Sequence, residues 1–207
     1  MGRHQFRMGT LKTALAAILL CLAPACSPRD FLTHRLATDL ISATGAFREP
    51  QVFWLKTGIV SNRDFNAPDS LVLQRHGWIV GTQAKCPSGI EPAPCWDVVL
   101  SPHGVDVFRS LITESTHGGT HMPIPVARRE IADVTGISKA GNFADVEFLW
   151  HWVPMNEVGS ALYDSGVRYR STVGFRSYDD GWRVQTEPMH NNQPIDEALR
   201  TAQPAPQ

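Results

Sequence analysis

The chain has 207 residues, with 19 basic side chains against 20 acidic ones and a formal net charge of −1. Proteins that hold nucleic acid neutralise phosphates with an excess of Lys and Arg, so this balance argues against a polyanionic partner. The length suffices for one large or two small domains, each with its own core.

Arg3, Arg7 and Lys12 precede an uncharged, largely apolar run from Ala14 to Ala25. A positive n-region followed by an apolar h-region predicts a signal peptide over residues 1–25 and export of the mature chain. The apolar run is about a dozen residues, whereas a membrane-spanning helix takes roughly 20, which disfavours a permanent transmembrane segment. Leu22-Ala23-Pro24-Ala25-Cys26 resembles the lipobox of bacterial lipoproteins, with Leu22 one place further upstream than is usual. The resemblance implies that Cys26 receives a diacylglycerol and becomes the first mature residue, and a two-chain anchor holds a protein stably at a membrane. Ser27, rather than Asp, follows Cys26, which resembles the rule for release to the outer membrane. The same residues also read Ala23-Pro24-Ala25, an A-x-A site that would free a soluble periplasmic protein.

Cysteine arithmetic bears on the choice. Cys21 leaves with the signal, Cys86 and Cys95 are placed to pair, and an unmodified Cys26 would remain as an odd thiol in an oxidising compartment. Lipidation accounts for it. Removing residues 1–25 takes three basic and no acidic groups, leaving 16 against 20.

The mature chain opens with a predicted helix carrying Phe31, Leu32, Leu36, Leu40 and Ile41 at helical spacing, with Asp30 as its cap and Gly45 as its stop. A strand over Val52–Leu55 and a turn-rich stretch, Ser61–Asn66, follow. Pro68 to Gly77 reads as a helix with a glycine stop, Trp78–Gln83 and Cys95–Leu100 as strands around a long hairpin loop, and Pro102–Ile112 as another helix. Each cysteine lies where a strand meets the loop, which predicts a Cys86–Cys95 disulfide. Its spacing is not C-x-x-C, so it reads as a staple rather than a redox centre.

Helix, glycine, strand, hairpin, strand and then Leu100-Ser101-Pro102-His103-Gly104 at the next helix resemble the second half of a winged-helix domain across residues 68–112. The resemblance implies a winged-helix-like scaffold used for packing or protein contact. The would-be recognition helix has only Arg75 as a formal cation, which leaves little for DNA.

Residues 113–121 are expected to be a linker to a second, antiparallel α+β part over 122–190. Within it a long extended segment runs to Ile137, broken near Arg128-Arg129, and alternation then places Val146, Phe148, Trp150 and Trp152 on one core-facing side of a strand. Asn156 caps a short helix to Tyr163. A strand from Arg168 to Tyr178 turns through Asp179-Asp180-Gly181 into another, a hairpin signal. The tail, 191–207, is expected to be largely disordered beyond a helical stub near Glu197–Arg200. Val134–Ile137, Trp150–Asn156 and Tyr178–Arg183 resemble stretches of uncharacterised bacterial envelope proteins, a likeness that implies no activity.

Among residues that could carry chemistry, His117 and His121 have an H-x3-H spacing, but Gly118 and Gly119 between them oppose the helix that would align both imidazoles on a metal. A polar linker is the plainer reading. G-x-S-x-G and phosphate-cradling glycine motifs are missing. Arg168, Arg170 and Arg176 share one strand parity and, with Arg183, would form an anion-binding face for lipid or glycan, or simply a solvated one. Trp96, Trp150, Trp152 and Trp182 read as core rather than as a sugar platform.

The sequence therefore predicts an α+β, winged-helix-like envelope lipoprotein with a binding or structural role, no cofactor and an envelope protein as partner. A periplasmic metal-dependent hydrolase using His117 and His121, and a DNA-binding winged helix if residues 1–25 are not an export signal, stand as the alternatives.

Overall fold

A computed structural model describes residues 31–88, 94–112, 121–188 and 192–206. The signal peptide expected over residues 1–25, Cys26 and His117 lie outside the described residues. Helices and antiparallel sheet combine in an α+β arrangement, and Leu32–Gln207 forms one compact unit.

Helix α1, His34–Ser42, is capped by Thr33, whose hydroxyl accepts the Leu36 N–H at 3.2 Å. The cap expected at Asp30 is thus supplied three residues later. Gly45 does not simply stop this helix; it opens a second, α2, Gly45–Arg48. Strand β1, Gln51–Lys56, leads into β2, Gly58–Ser61. The stretch expected as turns is a short helix, α3, Asn62–Phe65. Ser61 explains it: its hydroxyl accepts the Asp64 N–H and donates to the Asp64 carboxylate, satisfying an otherwise orphaned donor.

Lys56 Nζ lies 2.7 Å from Asp64 Oδ1, and that hydrogen bond is the main reason the carboxyl titrates below its ordinary value, against the opposing effect of burial. A folded-state pKa below the unfolded one gives stability that is present above the unfolded pKa and lost as pH falls through the folded one. Both side chains are about two-fifths exposed, so solvent screening keeps the contribution small. Asp64→Asn is expected to cost about 0.5–1 kcal/mol at neutral pH, including the weakened cap, and to flatten the acid limb of the stability curve. Urea titrations at neutral and acidic pH test this; equal losses at both would show that the ion pair contributes nothing.

Helix α4, Pro68–Arg75, is followed by β3, Ile79–Ala84, then β4, Cys95–Leu100, and α5, Pro102–Arg109. A three-stranded antiparallel sheet in the order β2-β4-β3 results. Trp78, fully buried, packs edge-on against Phe108 of α5.

Strand β5, His121–Ala140, is continuous through Arg128 and Arg129, where a break was expected. Irregularities fall later, between Ile131 and Asp133 and between Val134 and Gly136. Twelve-residue β6, Phe143–Pro154, pairs along its length, and β7, Arg168–Tyr178, and β8, Gly181–Val184, complete the order β1-β5-β6-β7-β8. Helix α6, Glu157–Leu162, is capped by Asn156 as expected.

The tail differs from expectation. Helix α7, Ile195–Arg200, buries Ile195, Ala198 and Leu199, and β9, Gln203–Pro204, pairs with β7. Three apolar residues at helical spacing form a stripe that joins the buried cluster beside the large sheet.

Two clusters of buried side chains result. One lies between the large sheet and α1, α2 and α7, and includes Ile41, Val146, Phe148, Val173 and Phe175. The other joins the small sheet, α4, α5 and α6 to β1 and β5, and includes Leu55, Leu73, Trp78, Phe108, Ile124, Val126 and Val158. Because β1 pairs with β5, the two expected parts share a sheet.

Candidate functional site

Cys86 and Cys95 form the expected disulfide, with Cα atoms 5.1 Å apart. Pairing of Ala84 with Cys95 in the β3–β4 ladder brings the two together, and Cys95 is fully buried. Closing a loop of this length is worth about 2–3 kcal/mol in the chain-entropy model. The double variant Cys86→Ser, Cys95→Ser is expected to lose about that much stability while keeping the fold. Intact-mass analysis after alkylation without reductant should show neither cysteine labelled in the parent protein; two labelled thiols would refute the staple.

The four arginines of the expected anion-binding face are not one group. Alternation along β7 buries Ser171, Val173 and Phe175 and turns Arg168, Arg170 and Arg176 to the opposite side. Arg168 and Arg176 are eight residues apart, which at strand rise is roughly 26 Å. Arg170 is compensated by Glu147, 3.8 Å away. Arg176 and Arg183, by contrast, are direct cross-strand partners. Tyr178 lies beside both, with the guanidinium carbons 5.1 and 4.8 Å from its ring centre, and Arg183 also pairs with Asp180. Like charges directly opposed in a ladder repel, and here the aromatic ring and Asp180 offset that repulsion. Below them a cavity of about 230 Å³ is lined by Arg176, Tyr178, Arg183, Gln185 and Glu187. Gln185 is buried, and neither atom of its side-chain amide has a hydrogen-bond partner among the described residues.

His121 begins β5 opposite Lys56 and is exposed. Among the described residues no group of three His, Cys, Asp or Glu side chains is arranged to hold a metal ion. Also among the described residues, no helix is long and apolar enough to cross a membrane.

Trp96, Trp150, Trp152 and Trp182 serve packing. Trp150 is buried, donates its indole N–H to Ser171 Oγ at 3.0 Å and stacks on Tyr169. Trp152 meets Trp150 edge-on and Tyr163 on another side. Trp96 stacks on Phe65, and Trp182 is buried in the first cluster.

No family model, curated protein or solved structure matches this chain. The site must therefore be read from its own chemistry.

A cavity of about 530 Å³ is one that sequence reasoning missed. It is lined by Thr44, Glu49, Gln51, Trp54, Arg129 and Asp196, with apolar contributions from Val52 and Ile195. Arg129, opposite Trp152 in the β5–β6 ladder, places its guanidinium carbon 4.5 Å from the Trp152 ring centre and 5.7 Å from that of Trp150. It donates to the Ala46 carbonyl at 2.9 Å and to Gln51 Oε1 at 3.4 Å, while its buried Nε has no acceptor among the described residues. Burial is the main influence on its pKa and lowers it; Tyr163 and Asp196 act in the opposite sense. Guanidinium nonetheless stays charged in proteins. Tyr163 is shifted up, chiefly by its own burial and then by Asp69. The one sequence signal for Arg129 was parity: it shares the face of the following aromatic strand, a relation visible only once β5 is known to be unbroken.

Proposed function

We propose that this chain is an exported envelope lipoprotein, anchored through lipid on Cys26 at the outer membrane facing the periplasm, with a non-catalytic binding role. The Cys86–Cys95 disulfide carries the reading, because structural disulfides persist in oxidising compartments and are rare in the cytosol. The resemblance of Leu22–Cys26 to a lipobox supplies the anchor, and a mature charge of 16 basic against 20 acidic groups speaks against nucleic acid. The winged-helix-like reading of residues 68–112 is part of the same proposal. Its support is the succession β2, α3, α4, β3, β4 with the first strand paired to the last. In this reading the unit serves as a protein-contact scaffold, since fold does not by itself set function.

Fractionation tests the anchor. Cys26→Ser is expected to shift the protein from the membrane fraction to the soluble periplasm, or to leave the signal uncleaved. A processed Cys26→Ser protein that fractionates like its parent would refute lipidation.

A further inference from the structure

The cleft around Arg129 contains charges of both signs that, among the described residues, form no ion pair with one another. Among the described residues the hydrogen bonds of Arg129 go to neutral oxygens, those of Ala46 and Gln51. Glu49 and Asp196, both exposed, line the same cleft. Asp196 is near enough to influence Arg129, yet among the described residues no carboxylate forms an ion pair with it. A half-buried guanidinium without a carboxylate is poorly compensated, and a cation and anions held apart across a cavity suit a molecule with the opposite arrangement. The volume lies within the range of small-molecule sites. Trp54, more than half exposed on edge strand β1, supplies an apolar wall, continued by Val52 and Ile195. A solvent-exposed tryptophan at the rim of a polar cavity is spare contact surface, whereas Trp150 and Trp152 are already spent on packing.

From this juxtaposition we propose that the cleft binds a small zwitterion of the amino-acid class: its carboxylate on Arg129, its ammonium facing Glu49 and Asp196, its apolar side chain against Trp54. Thr44, Gln51 and Thr186 complete the lining with neutral hydrogen-bonding groups. Guanidinium suits a carboxylate through paired N–H donors, and two rim carboxylates select against a ligand lacking a positive charge. The inference goes beyond the envelope reading and holds whether or not Cys26 carries lipid.

The test is calorimetric titration of the purified chain with leucine and with glycyl-leucine, the second arm distinguishing a free amino acid from a short peptide. At least one is expected to bind saturably. N-acetyl-leucine, which lacks the ammonium, and leucinamide, which lacks the carboxylate, should each bind at least about tenfold more weakly. Arg129→Gln should remove discrimination against leucinamide. Since Arg129 also packs on Trp152, a second variant reads the site without touching the core. Glu49→Gln with Asp196→Asn, at exposed positions, should weaken the zwitterion about fivefold or more and spare N-acetyl-leucine, with an unchanged melting temperature. Absence of saturable binding by both zwitterions overturns the proposal. So does equal binding of either blocked derivative, or a double variant that binds as its parent does.

Discussion

Gly159→Ala is expected to destabilise the protein by at least about 3 kcal/mol or to prevent folding altogether, the range reached when a methyl group is forced into backbone that has nowhere to go. A Cβ built at Gly159 would stand 1.8 Å from the Val126 carbonyl oxygen. That oxygen is not a flexible side-chain end: it accepts the Met155 N–H at 2.9 Å, so moving it breaks the contact that seats α6 on β5. Gly159 is also bound in place, its own N–H held by the capping Asn156 Oδ1 at 2.9 Å, while Asn156 Nδ2 donates to the Pro125 carbonyl at 2.7 Å. Neither partner can retreat without losing a hydrogen bond. A Cβ added at Gly104 would come as close to the Trp78 carbonyl oxygen, at 1.9 Å, where α5 crosses the start of β3. Gly136 is the control: an added Cβ there meets only the Glu147 Cβ, at 3.9 Å, and Gly136→Ala should be nearly neutral. Urea unfolding monitored by far-UV circular dichroism measures all three. A Gly159→Ala protein within about 1 kcal/mol of its parent would show that α6 is free to shift.

Those glycines show why part of the fold was legible in the sequence and part was not. Period-two alternation placed Val146, Phe148, Trp150 and Trp152 on the buried side because a strand with one covered face must alternate. The Asp179-Asp180-Gly181 hairpin and the Asn156 cap were legible for a similar reason: both are local chemistry. Contacts set by distant residues were not. Asn62–Phe65 looked like turn sequence, yet the Ser61 cap and Lys56, eight residues before Asp64, hold it helical. The adjacent Arg128 and Arg129 suggested a break in β5, but Arg129 is accommodated by the Trp152 face and the Ala46 carbonyl, 83 residues away. The same logic hid the cleft. Its residues come from α2, β1, β5 and α7, so no window of sequence contains it. Among the four arginines, parity correctly gave the face of the sheet, whereas the neutralisation of Arg170 by Glu147 and the opposition of Arg176 to Arg183 required the register.

Phe148→Ala is expected to cost about 3–5 kcal/mol, the usual range for truncating a fully buried aromatic ring. Phe148 has no exposed surface and meets Phe47 of α2 edge-on, with ring centres 6.1 Å apart. Val134 and Val146 belong to the same cluster, so the vacated space lies between the large sheet and the helices that cover it. The consequence should not stop at that cluster. Strand β5 gives Ile124 and Val126 to one core and Val134 to the other, and it pairs with both β1 and β6. Its inner hydrogen bonds cannot be released on one side while the other stays folded without exposing a row of unpaired backbone groups. Hydrogen exchange read by mass spectrometry should therefore show protection falling together in β7, which lines the first core, and in β4, which lines the second. If Phe148→Ala lowers protection in β7 and leaves β4 as in the parent, the two clusters are separate cooperative units. The division expected near residues 113–121 would then describe the folding even though the strands are shared.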